Sequence, residues 1–137
     1  MNETYLVIAA CVVLLVLMFG TGFLLRRRPK ALNQEYYTER WQALQKLCKD
    51  KATWPLAIID ADKLLDDALK RRRYRGKTMG ERLVAAQRDI SSNDEVWFGH
   101  KLRNRLVHEN NVSLTEKMVK EALIGIRGAL KDLGALK

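Results

Sequence analysis

From Tyr5 to Leu25 the chain runs 21 residues without a charge. At about 1.5 Å per residue a helix of that length spans about 30 Å, the hydrocarbon thickness of a bilayer. A cleaved signal peptide would need a basic leading region and a small-residue cleavage site. Here the run follows Met1, Asn2 and Glu3 and closes on Phe23, Leu24 and Leu25. The reading is therefore a single transmembrane helix with the lipid bilayer as its first partner. Arg26, Arg27, Arg28 and Lys30 follow directly, while the leading flank carries only Glu3. The positive-inside rule then puts the N-terminus outside a cell membrane and the rest in the cytoplasm.

What remains is one small domain of roughly 110 residues, too short for a multidomain enzyme. Lysine and arginine number 25 against 16 acids, a net charge of +9, which favours anionic partners such as nucleic acid or phospholipid. Cys11 lies in the apolar run and Cys48 in a polar segment, so no disulfide framework is expected. His100 and His108 are the only histidines and lack zinc-ligand spacing. No metal and no cofactor are expected. A phosphate-cradling glycine loop, an HExxH pair and a nucleophile elbow are all missing from the sequence.

Beyond Pro29 no segment alternates with the period of a half-buried strand, so the domain reads as all helix, a bundle of about five. Asn33 is positioned to cap a helix to about Asp50 whose Tyr37, Trp41, Leu44 and Cys48 form a narrow apolar stripe. Thr53, Trp54 and Pro55 open a second helix. It has Ala57, Ile58, Ala61, Leu64, Leu65, Ala68 and Leu69 on one side and Gly76 as its stop. Capping boxes at Thr78/Glu81, Ser92/Glu95 and Ser113/Glu116 start the remaining three helices. The third is expected to run to about Asp89 and the fourth to about His108. The fifth carries Met118, Val119, Ala122, Leu123, Ile126 and Leu130 ahead of Gly134. The chain divides into an extracytoplasmic end with the membrane helix (1–25), a basic juxtamembrane linker (26–32), a connecting amphipathic helix (33–52) and the bundle proper (53–137).

Two segments could carry function. Lys70 to Lys77, reading KRRRYRGK, is the densest basic run. Arg72, Arg73, Arg75 and Lys77 could hold phosphate and Tyr74 could stack on a base, although cations there also complement a helix C-terminus. The other segment is Asp94 to Glu109. At 100° per residue Val96, Gly99, Leu102, Leu106 and Val107 span an inward arc, and Arg103 projects into it. A guanidinium among apolar groups must find a carboxylate, Asp62 first and Asp60 or Asp66 as alternatives, or open onto a cleft. His100, Asn104 and His108 line the adjacent edge with Trp97, while Lys101, Arg105 and Glu109 face solvent.

The run Arg103-Asn104-Arg105-Leu106-Val107-His108 resembles the signature of the HEPN superfamily. These are small all-helical, nucleic-acid-associated domains with an arginine, often a following polar residue, and a histidine four to six positions on. The resemblance covers about Trp54 to Leu136. It implies a HEPN-like bundle that binds RNA, extending to metal-independent RNA cleavage between two protomers of a homodimer. In that chemistry His108 is the general acid or base, Arg103 holds the phosphate and Asn104 orients one of them, with His100 beside them on the anion-binding edge. A toxin branch carries a tyrosine two residues after the histidine, where this chain has Asn110. The alternative is a non-enzymatic tethered module whose bundle docks a protein partner through the Tyr37 to Cys48 stripe or the basic run.

Overall fold

The computed structural model describes residues 2–26 and 30–137, and these form six α-helices with no strand among the described residues. In chain order they are α1 (Asn2–Arg26), α2 (Gln34–Leu47), α3 (Trp54–Arg71), α4 (Met79–Ala86), α5 (Asn93–His108) and α6 (Glu116–Asp132). A single 3-10 turn, Lys51–Thr53, joins α2 to α3.

α1 is long and apolar enough to cross a membrane between Glu3 and Gly22, and none of that span is buried against the bundle. Leu6, Leu14, Met18 and Phe19 are all exposed. A soluble surface helix keeps its apolar groups to one stripe, and this one has them all round. Arg27, Arg28 and Pro29, on which the expected orientation partly rests, lie outside the described residues.

Asn33 caps α2, its side-chain oxygen accepting from the Tyr36 amide at 3.2 Å. The helix stops at Leu47, short of Asp50, because the Asp50 carboxylate caps the 3-10 turn instead, accepting from the Ala52 amide at 3.0 Å. Tyr37, Trp41 and Leu44 are buried in the main core with Leu65, Leu69, Leu130 and Leu133. The stripe expected to be available for a partner is thus spent inside the bundle, and α2 is integral to the core. The Cys48 thiol is half-buried, and burial pushes its pKa up, away from reactive thiolate chemistry.

Pro55 sits in the first turn of α3, where its missing N–H costs nothing. The expected inward residues from Ala57 to Leu69 are all buried. The helix ends at Arg71 without reaching Gly76. Arg73 takes the left-handed position (φ 64), its amide donating to Lys70 O at 2.9 Å while the Tyr74 amide donates to Leu69 O at 3.1 Å. This closing pair of bonds outweighs the ~1 kcal/mol that a side chain costs there.

Only the first expected capping box forms. Thr78 Oγ1 accepts from the Glu81 amide at 3.2 Å, and the Glu81 carboxylate accepts from the Lys77 amide. α4 ends at Ala86, one short helix rather than a run to Asp89. Ser92 makes no capping bond; Asn93 closes the preceding turn instead, donating to Ile90 O at 2.7 Å and Gln87 O at 2.9 Å. α6 starts after Thr115, not Ser113, with Thr115 Oγ1 accepting from the Met118 amide at 3.2 Å. The later start places Leu114 just ahead of the cap and Val119 one turn inside, both buried in one cluster, as a hydrophobic staple requires.

α2 and α3 run antiparallel: Tyr37 Oη donates to Asp67 at 2.7 Å at one end, and Trp54 Nε1 donates to Cys48 O at 3.0 Å at the other. α5 and α6 approach closest of all. A Cβ on Gly125 would lie 2.5 Å from the Glu95 carbonyl carbon, so only glycine permits this crossing. That contact fixes the depth at which α5 sits over α3, and so the height of the polar groups between them.

Candidate functional site

Asp62 is 2% exposed on the inward face of α3, flanked by Ala61 and Leu65. A carboxylate at that depth needs partners, and α5 supplies them from positions three and four apart on one face. His100 Nδ1 lies 3.0 Å from Asp62 Oδ1. A carboxylate only accepts, so Nδ1 carries the proton and Nε2 is left as an acceptor. Asn104 Nδ2 lies 3.3 Å from Nε2 and donates to it. The amide oxygen of Asn104 in turn accepts from Arg103 Nη1 at 2.9 Å. Arg103 Nε returns to Asp62 Oδ2 at 3.4 Å. Four side chains therefore close a ring in which every bond fixes the direction of the next. Trp97 holds the imidazole edge-on, with ring centroids 5.9 Å apart.

The ring is uneven. The last contact is an ion pair without hydrogen-bond alignment, and Arg103 Nε is buried with its hydrogen unplaced. Arg103 is the most open member, its side chain 27% exposed against 10% for His100 and 3% for Asp62.

All four residues line one polar hollow of about 470 Å³ between α3, α5 and the loop into α4. Its remaining charged residues are Lys63, Asp66, Lys77 and Arg82. Arg82, 7% exposed, is fixed by Asp66 at 2.7 Å and by Gly76 O at 2.8 Å. Lys70 also pairs with Asp66, at 2.8 Å. Among the described residues Lys63 and Lys77 have no carboxylate within 4.0 Å. The hollow therefore holds four fixed cations against two carboxylates, and two of those cations stand free.

The structure brings Arg103, Asn104, His100 and Lys77 together and leaves other expected residues elsewhere. His108, the last residue of α5, is exposed and does not line the hollow. The α5 edge turns outward after Asn104: Val107, expected in the inward arc, is 49% exposed. Asp60 lies in a different groove beside Tyr36 and Arg40, so Asp62 alone takes Arg103. Tyr74 is folded inward against the core, with its hydroxyl donating to Asp89 at 2.7 Å. Burial and then that bond push its pKa up to about 12, and it offers no stacking face of the kind expected. Arg72 is half-buried, whereas Arg73 and Arg75 are exposed. Arg82 and Asp66 went unread in the sequence, although Arg82 stands next to Leu83 in a short apolar arc, the same signal that singled out Arg103.

Among the described residues no three metal-ligating side chains gather at one place. No protein-family model matches the chain, and neither the curated proteins nor the solved structures compared with it return a match.

Proposed function

We propose that the chain is a membrane-anchored helical domain of HEPN-like type that binds RNA through the polar hollow between α3 and α5. α1 is the anchor, and the positive-inside pattern places the bundle on the cytoplasmic side. One observation carries the reading: Arg103, with an unmet Nε hydrogen, and the free cations Lys63 and Lys77 line the same hollow. A phosphate gives Arg103 a better-aligned acceptor than Asp62 does, and gives the two ammonium groups the anion they lack. The groups that read a single strand would be the imidazole and amide of the ring, since Tyr74 is turned inward.

Cleavage is a separate step. It needs a general acid or base at the phosphate, and His108 lies outside the hollow lining. A second protomer could supply it, as the HEPN resemblance implies.

The test uses the full chain in nanodiscs of neutral lipid with fluorescein-labelled single-stranded RNA in chelator. Binding followed by anisotropy should weaken at least about tenfold in Lys63→Gln/Lys77→Gln, with the log–log salt slope falling by about one per cation removed. Unchanged affinity in that variant would remove the hollow as the site. Product analysis of the same mixtures between about pH 5 and 9 separates binding from cleavage. Cleavage lost in both Arg103→Ala and His108→Ala identifies a ribonuclease; its absence throughout leaves a binding module.

A further inference from the structure

We infer that the end of the bundle formed by the last turn of α3 and the first turn of α2 docks on the headgroups of acidic phospholipids beside the α1 anchor. The inference rests on the proposed membrane anchoring and is independent of RNA binding.

The antiparallel pairing of α2 and α3 sets the placement. Arg71, in the last turn of α3, lies over the Tyr36 ring at 5.6 Å, and Tyr36 belongs to the first turn of α2. The cations that follow, Arg72, Arg73 and Arg75, are carried at that same end. Leu32 packs against the main core, so the bundle begins there. Only residues 27–31 separate it from the end of α1. Six steps of extended chain reach at most about 20 Å. The basic end is therefore the end held next to the bilayer, at a high effective concentration of lipid surface. The distal end, where Trp54, Leu106 and Leu114 cluster, lies a helix length away.

The chemistry of this end selects its partner. A single-stranded nucleic acid needs aromatic platforms as well as cations. Tyr74, the aromatic within the run, is bonded to Asp89 and packed inward, so the run presents charge without a stacking face. A layer of lipid phosphates asks for nothing more, and basic residues close to a membrane are attracted over about one Debye length. Lys70 and Arg71 are partly neutralised by Asp66 and Asp67, which leaves the exposed Arg73 and Arg75 as the leading contacts.

The experiment reconstitutes the full chain, with Cys11→Ser and Cys48→Ser, into vesicles that contain a headgroup-labelled quenching lipid. One sample carries a fluorophore on Arg75→Cys and the other on Asn110→Cys at the distal end. In vesicles with about a third phosphatidylglycerol, quenching at position 75 should exceed that at position 110 at least threefold. The excess should disappear in pure phosphatidylcholine or in 1 M salt, where screening shortens to about 3 Å. Arg73→Gln should reduce it by about half, and the salt arm gives the same answer without any substitution. Equal quenching at the two positions, or an excess indifferent to acidic lipid, overturns the inference. So does a label at position 75 that responds to single-stranded RNA and not to acidic vesicles. Extraction with alkaline carbonate separates the two layers of the reading: a chain that stays in the vesicles without the excess loses the docking alone, while a chain that is extracted loses the anchor and the docking together.

Discussion

α5 carries two histidines two turns apart, and their surroundings share almost nothing. His100 is 8% exposed, tied to Asp62, Asn104 and Trp97; His108 ends the helix in solvent. The same residue type on the same helix becomes a structural element at one position and a surface group at the other. The cause is across the interface: α3 presents a buried carboxylate opposite the first half of α5, and nothing equivalent opposite its last turn. The chemistry of a short motif is thus decided less by its own spacing than by what the neighbouring helix offers.

The comparison can be broken at the carboxylate first. Asp62→Ala removes the acceptor for both His100 and Arg103 and should cost about 3 kcal/mol in urea unfolding, the largest single effect. A loss below about 1 kcal/mol would mean that the ring is not what holds this part of α5 to α3. Next comes the clamp on the first half of the helix. Gly125→Ala drives a methyl into the Glu95 backbone and should cost about 2 kcal/mol, whereas Val107→Ala in the exposed half should stay within about 0.5 kcal/mol. The histidines themselves should follow the same division. His100→Ala leaves Asp62 and Asn104 short of a partner and should cost about 1.5 kcal/mol; His108→Ala should change the melting temperature by no more than a degree or two.

The smallest effect concerns alkaline pH. The folded Tyr74 pKa is raised to about 12 from a model value of 10.0. Its contribution to stability is therefore complete below pH 10 and is lost as pH rises toward 12. A pH series of thermal melts should show this decline, and Tyr74→Phe should flatten part of it. The residual slope belongs to Tyr37, whose pKa is raised further by burial and by the bond to Asp67.

Periodicity made most of the fold legible. The apolar residues of α3 and α6 were identifiable because a 3.6-residue repeat needs no knowledge of a partner. Helix ends were less so. Ser92 and Ser113 match the capping box as well as Thr78 does, and only packing of Leu114 on Val119 moves the start of α6 to Thr115. The Gly76 stop failed for a similar reason, since tertiary contacts of Tyr74 hold Arg73 in a conformation that local preference assigns to glycine. In the site, the Arg103–Asp62 pair could be read because a charge in an apolar arc demands an answer. The role of His100 could not, because the direction of its hydrogen bonds depends on Asp62 from 38 residues away. Arg82 and Asp66 were legible by the same argument as Arg103 but sit in a helix of only 8 residues, too short for its periodicity to stand out.

The most direct measurement is a long-range proton–nitrogen correlation spectrum of the two imidazoles near neutral pH. The ring requires His100 to be held in the Nδ1–H tautomer, with Nε2 unprotonated and distinct from His108, which should show the averaged shifts of a free imidazole. A His100 found in the Nε2–H form, or averaging exactly as His108 does, would contradict it, and the fixed orientation of Arg103 in the hollow would go with it.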